Sequence, residues 1–75
     1  MHITVKCFAT FRGFQPEDGE NFPISDGETV GAVIDRLGIP KDQLRLVFVN
    51  STHSSLDTVL NDGDTLGFFP AIGGG

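Results

Sequence analysis

The sequence is poor in side chains that make or break bonds, and those it has are scattered. Cys7 is its single thiol, and His2 and His53 are its only imidazoles. A zinc or iron–sulfur centre needs clustered ligands, usually four, so no metal is expected. Cys7 falls on the apolar side of an alternating segment, where cysteine is a small buried hydrophobe and not a nucleophile. His53 lies among Ser and Thr residues and reads as a solvated loop histidine. Glu17, Asp18 and Glu20 are close together, but a loop cannot hold an acid and a base at fixed separation, so they read as a solvated charge run. There is no G-x-x-x-x-G-K-[ST] loop, and the closing glycines have no helix behind them to offer amides to a phosphate.

One reactive group remains, the α-carboxylate of Gly75. Gly73, Gly74 and Gly75 lack a Cβ, so a tail of them can thread a channel too narrow for side chains. Capturing such a tail costs ordering entropy, which makes it a poor purely structural terminus. A frayed end would tolerate three glycines equally well. The residues before them tip the reading: Leu66-Gly67-Phe68-Phe69-Pro70-Ala71-Ile72 sets large apolar groups where a last strand gives way to the tail, placed for a partner to anchor.

Such a tail needs a frame. Ile3 to Ala9 alternates, sending Ile3, Val5 and Cys7 to one face and Thr4, Lys6 and Phe8 to the other, which is a first strand. Thr10 to Glu20, with Gly13, Pro16 and its charges, is expected to be a long solvated loop, and Asn21 to Ser25 a short second strand. Thr29 is a plausible N-cap, followed by Val30, Val33, Ile34 and Leu37 at the i, i+3, i+4, i+7 spacing of one helical face. Gly38 suits the left-handed C-terminal position, and Pro40 stops continuation.

Gln43 to Asn50, with Leu44-Arg45-Leu46-Val47-Phe48-Val49, reads as a buried strand. Asn50 to Ser55 is a polar connector, Leu56 is assigned to a brief strand, and Leu60-Asn61-Asp62-Gly63-Asp64 is turn chemistry. Thr65 to Phe69 is the final strand, and nothing is left for Pro70 to Gly75 to pair with. The expected organisation is a single domain over 1–69 and a flexible tail over 70–75. Two strands, one helix and a run of strands favour an α+β roll with the helix on one face of a mixed sheet.

Seventy-five residues, 39% of them hydrophobic, support one thin core, since a domain of this size buries only about 60% of the surface its unfolded chain exposes. A single cysteine excludes an internal disulfide and implies no oxidising compartment. No run approaches the roughly 20 apolar residues of a membrane span, and the N-terminus lacks a signal peptide's pattern. A soluble, cytoplasmic protein is expected. Ten acidic residues against five basic ones give a net charge of −5, which repels phosphate backbones and anionic lipid heads. Neither nucleic acid nor membrane is an expected partner; a protein with a basic face is.

Several short motifs stand together along the chain. Phe8-Ala9 with Arg12, Thr29-Val30 leading to Leu37-Gly38-Ile39-Pro40, and Val49-Asn50 precede the most specific piece, Leu60-Asn61-Asp62-Gly63-Asp64 followed by Phe68-Phe69-Pro70 and a closing Gly74-Gly75. Over essentially its whole length the chain resembles the small ubiquitin-like sulfur carriers of molybdopterin and thiamine biosynthesis. It departs from them at Ala71, where the molybdopterin carriers often have a second proline, and around His53, where an apolar contact residue would stand.

The resemblance implies a β-grasp (ubiquitin-like) roll, a mixed sheet of four to five strands on one main helix. It implies that a ubiquitin-activating-like adenylyltransferase binds ATP and couples Gly75 to AMP, because a carboxylate becomes a good electrophile only with a good leaving group. Sulfur from a persulfide enzyme then replaces AMP to leave a thiocarboxylate, and a large synthase subunit accepts the tail. The chain itself would hold no cofactor and would be a co-substrate, not an enzyme. Gly73, Gly74 and Gly75 would thread the partner's active site, while Phe8, Phe69, Pro70 and Ile72 would bind the partner. Molybdopterin or tungstopterin synthesis is the leading destination. A thiamine thiazole carrier, or a modifier joined to lysines through Gly75, remains open.

Overall fold

A computed structural model describes residues 1–71, so Ile72, Gly73, Gly74 and Gly75 lie outside the described residues. Strand β1 (His2–Cys7) buries Ile3, Val5 and Cys7 and turns Thr4 and Lys6 away from the core, as its alternation requires. Burial pushes the Cys7 thiol pKa up, as suits a core filler.

The expected long solvated loop is corrected here. Ala9 turns the chain with a left-handed φ of 53° and opens a 3-10 helix, Ala9–Phe14. Phe11 enters the core, and Phe14 meets it edge-on at 6.0 Å between ring centroids. A second 3-10 turn, Gly19–Asn21, leads into β2 (Phe22–Pro23), shorter than the Asn21–Ser25 expected. Strand β2 pairs only with His2 and Ile3 of β1. The next stretch of that edge is closed by a side chain: Gln15 Oε1 accepts from the Cys7 N–H at 2.8 Å, and its Nε2 donates to the Val5 carbonyl at 2.9 Å.

Helix α1 (Val30–Leu37) forms as its pattern dictates. Thr29 Oγ1 accepts from the Ala32 N–H at 3.2 Å, and Gly38 closes the helix at φ 76°, its N–H reaching the Ile34 and Asp35 carbonyls. Val30, Val33 and Ile34 are wholly buried against the sheet, with Leu37 half-buried beside them. Arg36 straps the helix to β2: its guanidinium lies 2.9 Å from Glu28 Oε2 and 4.7 Å from the Phe22 ring centroid. Burial alone would raise the Glu28 pKa, but the Ser25 N–H and Arg36 outweigh it and hold the carboxyl below its ordinary value.

Strands β3 (Leu44–Val49), β4 (Thr52–His53) and β5 (Thr65–Pro70) complete a five-stranded sheet in the order β2-β1-β5-β3-β4. Only the β1–β5 pairing is parallel. Three expectations change. The brief strand is Thr52–His53, not Leu56. Strand β3 is not a buried strand, since Val47 alone is fully buried in it. The ladder passes the expected boundary after Phe69, because Pro70 pairs with Leu44 and the Ala71 N–H donates to the Gln43 carbonyl at 2.9 Å.

The start of β5 is pinned by the turn before it. Asp64 accepts from the Asn61 N–H and from Asn50 Nδ2, each at 2.8 Å, while Asn50 Oδ1 accepts from the Thr65 N–H at 2.9 Å. Asn50 thereby joins the β3–β4 hairpin to the root of the central strand.

Candidate functional site

The helix covers one face of the sheet and leaves the other open. Parity decides what the open face shows. In β5, Leu66 and Phe68 point to the core, so Gly67 and Phe69 point away; in β3, Val47 and Val49 pack inward, so Leu46 and Phe48 do not. Phe8, just past β1, continues the parallel ladder through its N–H to the Phe68 carbonyl at 3.1 Å.

These positions assemble one row of rings. Phe8 and Phe69 stack with centroids 4.3 Å apart and planes 4° from parallel. Phe48 meets Phe69 edge-on at 5.6 Å, and His53 meets Phe48 at 5.8 Å. Gly67 leaves room for the stack, because a Cβ there would stand 3.3 Å from Phe8 Cε2 and press the ring aside by a few tenths of an ångström. Phe8 and Leu46, on either side of Phe69, remain 38% and 37% exposed, an exposed apolar patch of the kind that marks an interaction surface.

Two of the four expected partner-binding residues, Phe8 and Phe69, therefore meet in one patch. Pro70 is buried at the end of β5, so in this chain its ring faces its own domain. Ile72, the fourth, and Gly73, Gly74 and Gly75 lie outside the described residues. Phe69, at the middle of the row, lies two residues before Ala71, so the face adjoins the point where the described chain leaves the sheet. Phe48 and His53 are members that the sequence reading missed. Their signal was the alternation Leu46/Phe48 against Val47/Val49, hidden by an almost wholly apolar run. Among the described residues no group of His, Cys, Asp and Glu could hold a metal ion, and no helix is long and apolar enough to cross a membrane.

A mixed sheet of this order with one helix across it is the β-grasp, or ubiquitin-like, fold. The chain belongs to the ThiS family, which it matches over residues 5–75. The family is one of ubiquitin-like sulfur carriers, whose small subunits are not enzymes. Among solved structures it is similar to the putative molybdopterin converting factor subunit 1 of Pyrococcus furiosus, at 26% identity and TM-score 0.74, covering 96% of this chain and 99% of that one. It shares its fold with SAMP1 of Haloferax volcanii, at 22% identity and TM-score 0.73 over 100% of both chains. It also shares it with a chain of the complex between subunits 1 and 2 of the molybdopterin-converting factor of Helicobacter pylori, at 22% identity, TM-score 0.61 and 100% coverage of both. No curated protein matches the sequence.

Proposed function

We propose that the chain is a sulfur carrier whose Gly75 carboxylate is adenylated and converted to a thiocarboxylate for molybdopterin or tungstopterin synthesis. The observation that carries this reading is the family match, which runs through the glycine tail to residue 75. The geometry supports it, because an exposed aromatic face lies beside the tail's point of departure and gives a partner something to grip while the glycines enter its active site.

In this reading an adenylyltransferase binds ATP, and the Gly75 carboxylate attacks the α-phosphate and expels pyrophosphate. The terminal sulfur of an enzyme persulfide displaces AMP to give an acyl disulfide, a thiol of the activating machinery reduces this to the thiocarboxylate and leaves as a disulfide, and the thiocarboxylate is spent inside a large synthase subunit. The likeness to a subunit 1 of molybdopterin converting factor, and to a chain found with its subunit 2, favours that destination over thiamine. Conjugation to lysines through Gly75 shares every step up to the adenylate, and the fold of a small archaeal modifier keeps it as the second reading.

The test is mass spectrometry of the protein from its own cells, together with ATP–pyrophosphate exchange. A fraction heavier by one sulfur-for-oxygen exchange supports the carrier, whereas high-mass adducts support the modifier. Adding one residue after Gly75, or deleting Gly74 and Gly75, is expected to abolish exchange without moving the unfolding midpoint. Misplacement of a reacting group by about 1 Å costs on the order of a hundredfold in rate, and one residue adds up to about 3.5 Å. Near-normal exchange by either variant would sink the proposal.

A further inference from the structure

An acidic composition points to a basic partner, but the charges are not on the face that docks. The exposed positions of β1, β3, β4 and β5 carry no carboxylate and two formal positive charges, Lys6 in β1 and Arg45 at the irregularity of β3 between Leu44 and Leu46. Phe8, Phe48, Phe69 and Gly67 line a cleft of about 320 Å³ on this face, with Lys6 at its rim and no acidic residue among its walls. The absent Gly67 side chain keeps the cleft open. Lys6 forms a ridge between this cleft and another along the edge of β1, which Glu17, Asp18 and Glu20 line. It makes an ion pair with none of them, since the ion pairs among the described residues are Arg36–Glu28 and Lys41–Asp35.

From this arrangement we infer that the activating partner meets the chain with an apolar side chain seated in the phenylalanine cleft and a carboxylate placed on Lys6. The inference rests on the carrier reading for the partner's identity and adds the chemistry of its docking patch. The occupant follows from complementarity. A basic patch laid on this face would bring its charge against Lys6 and find no anion there, whereas like charges brought together at an interface are strongly disfavoured. An unpaired ammonium beside three aromatic rings is desolvated when the face is covered, and a carboxylate opposite it restores the lost hydration. The acidic residues lie beyond the ridge, so the net charge of −5 speaks to solubility and approach, while the contact itself has the opposite sign.

The experiment titrates the full chain against the adenylyltransferase of the same cell and measures Kd for wild type, Lys6→Ala, Lys6→Glu and Lys41→Glu. Lys6→Glu and Lys41→Glu change the net charge identically, and both lysines are exposed, Lys41 in a surface ion pair with Asp35, so both variants are expected to fold. Lys6→Glu is expected to weaken binding by about tenfold or more, Lys6→Ala by less, and Lys41→Glu by under about twofold. Exchanging one Asp or Glu of the enzyme's docking patch for Lys is expected to restore the Lys6→Glu variant. Binding by Lys6→Glu that equals or exceeds wild type, or equal losses from Lys6→Glu and Lys41→Glu, overturns the inference. Pyrophosphate exchange is read on the same samples. Its absence in wild type with the Lys6 dependence intact fails the carrier reading alone, and its presence with no Lys6 dependence fails this inference alone.

Discussion

Phe68 and Phe69 are neighbours in β5 with opposite tasks. Phe68 has no exposed surface and sits in the core; Phe69 faces out and stacks on Phe8. Phe68→Ala is expected to cost about 3–5 kcal/mol of folding stability, the usual range for emptying a buried phenylalanine site. Phe69→Ala should cost folding far less and weaken partner binding by about 2 kcal/mol or more, as an interface anchor does. Urea midpoints and partner titrations of the two variants check this. Similar midpoint losses in both would make Phe69 a second core residue. The sequence marked Phe69 as a partner anchor by its place at the strand's end; that Phe68 is its core counterpart emerged from the structure. Phe48 was not legible in it, because a ring shown to a partner and a ring shown to the core have the same composition, and every residue of Leu44–Val49 except Arg45 is apolar.

At the scale of elements, the helix was fully legible: cap, period and terminating glycine all act within a few residues of one another. The segment from Ala9 to Asn21 was not. Its glycine, proline and charges signal a loop, whereas its structure depends on partners distant in sequence, Phe11 on the core and Gln15 on β1. Gln15 does the work of a strand with one side chain, offering an acceptor to Cys7 and a donor to Val5. Gln15→Ala is expected to cost about 2 kcal/mol, roughly 1 for each hydrogen bond lost. Gln15→Glu should cost at least as much, since it sets a carboxylate oxygen against the Val5 carbonyl. Denaturant titration measures both, and amide exchange at Cys7 should quicken in each. Unchanged exchange at Cys7 would mean that the amide does not hold the edge.

At the scale of the whole molecule, the Arg36–Glu28 pair ties acid stability to a carboxylate. Glu28 is held below its ordinary value of 4.5. A carboxyl with a depressed folded pKa stabilises the fold above its unfolded value and loses that contribution as pH falls through the folded one. Acid unfolding below the ordinary carboxylate range is therefore expected to be steeper in wild type than in Glu28→Gln, with the two converging at the acid end. Thermal midpoints collected from neutral pH downward decide it, and parallel curves would mean that the Arg36 strap contributes nothing.

The parallel pairing of β1 with β5 sets when this molecule comes into being. Thr4–Cys7 aligns with Thr65–Phe68, so the central strand is made some sixty residues after its neighbour, and β3 also waits for it. Contacts so distant along the chain are slow to form, because loop closure precedes any reward. Until Thr65–Pro70 is in place, β1 and β3 have no centre to join, and the sheet closes only when that strand pairs with both. The aromatic row is assembled by that same event, since Phe69 is its hub. An incomplete chain thus has no docking face, and an enzyme that recognises the face meets only carriers whose fold is already finished.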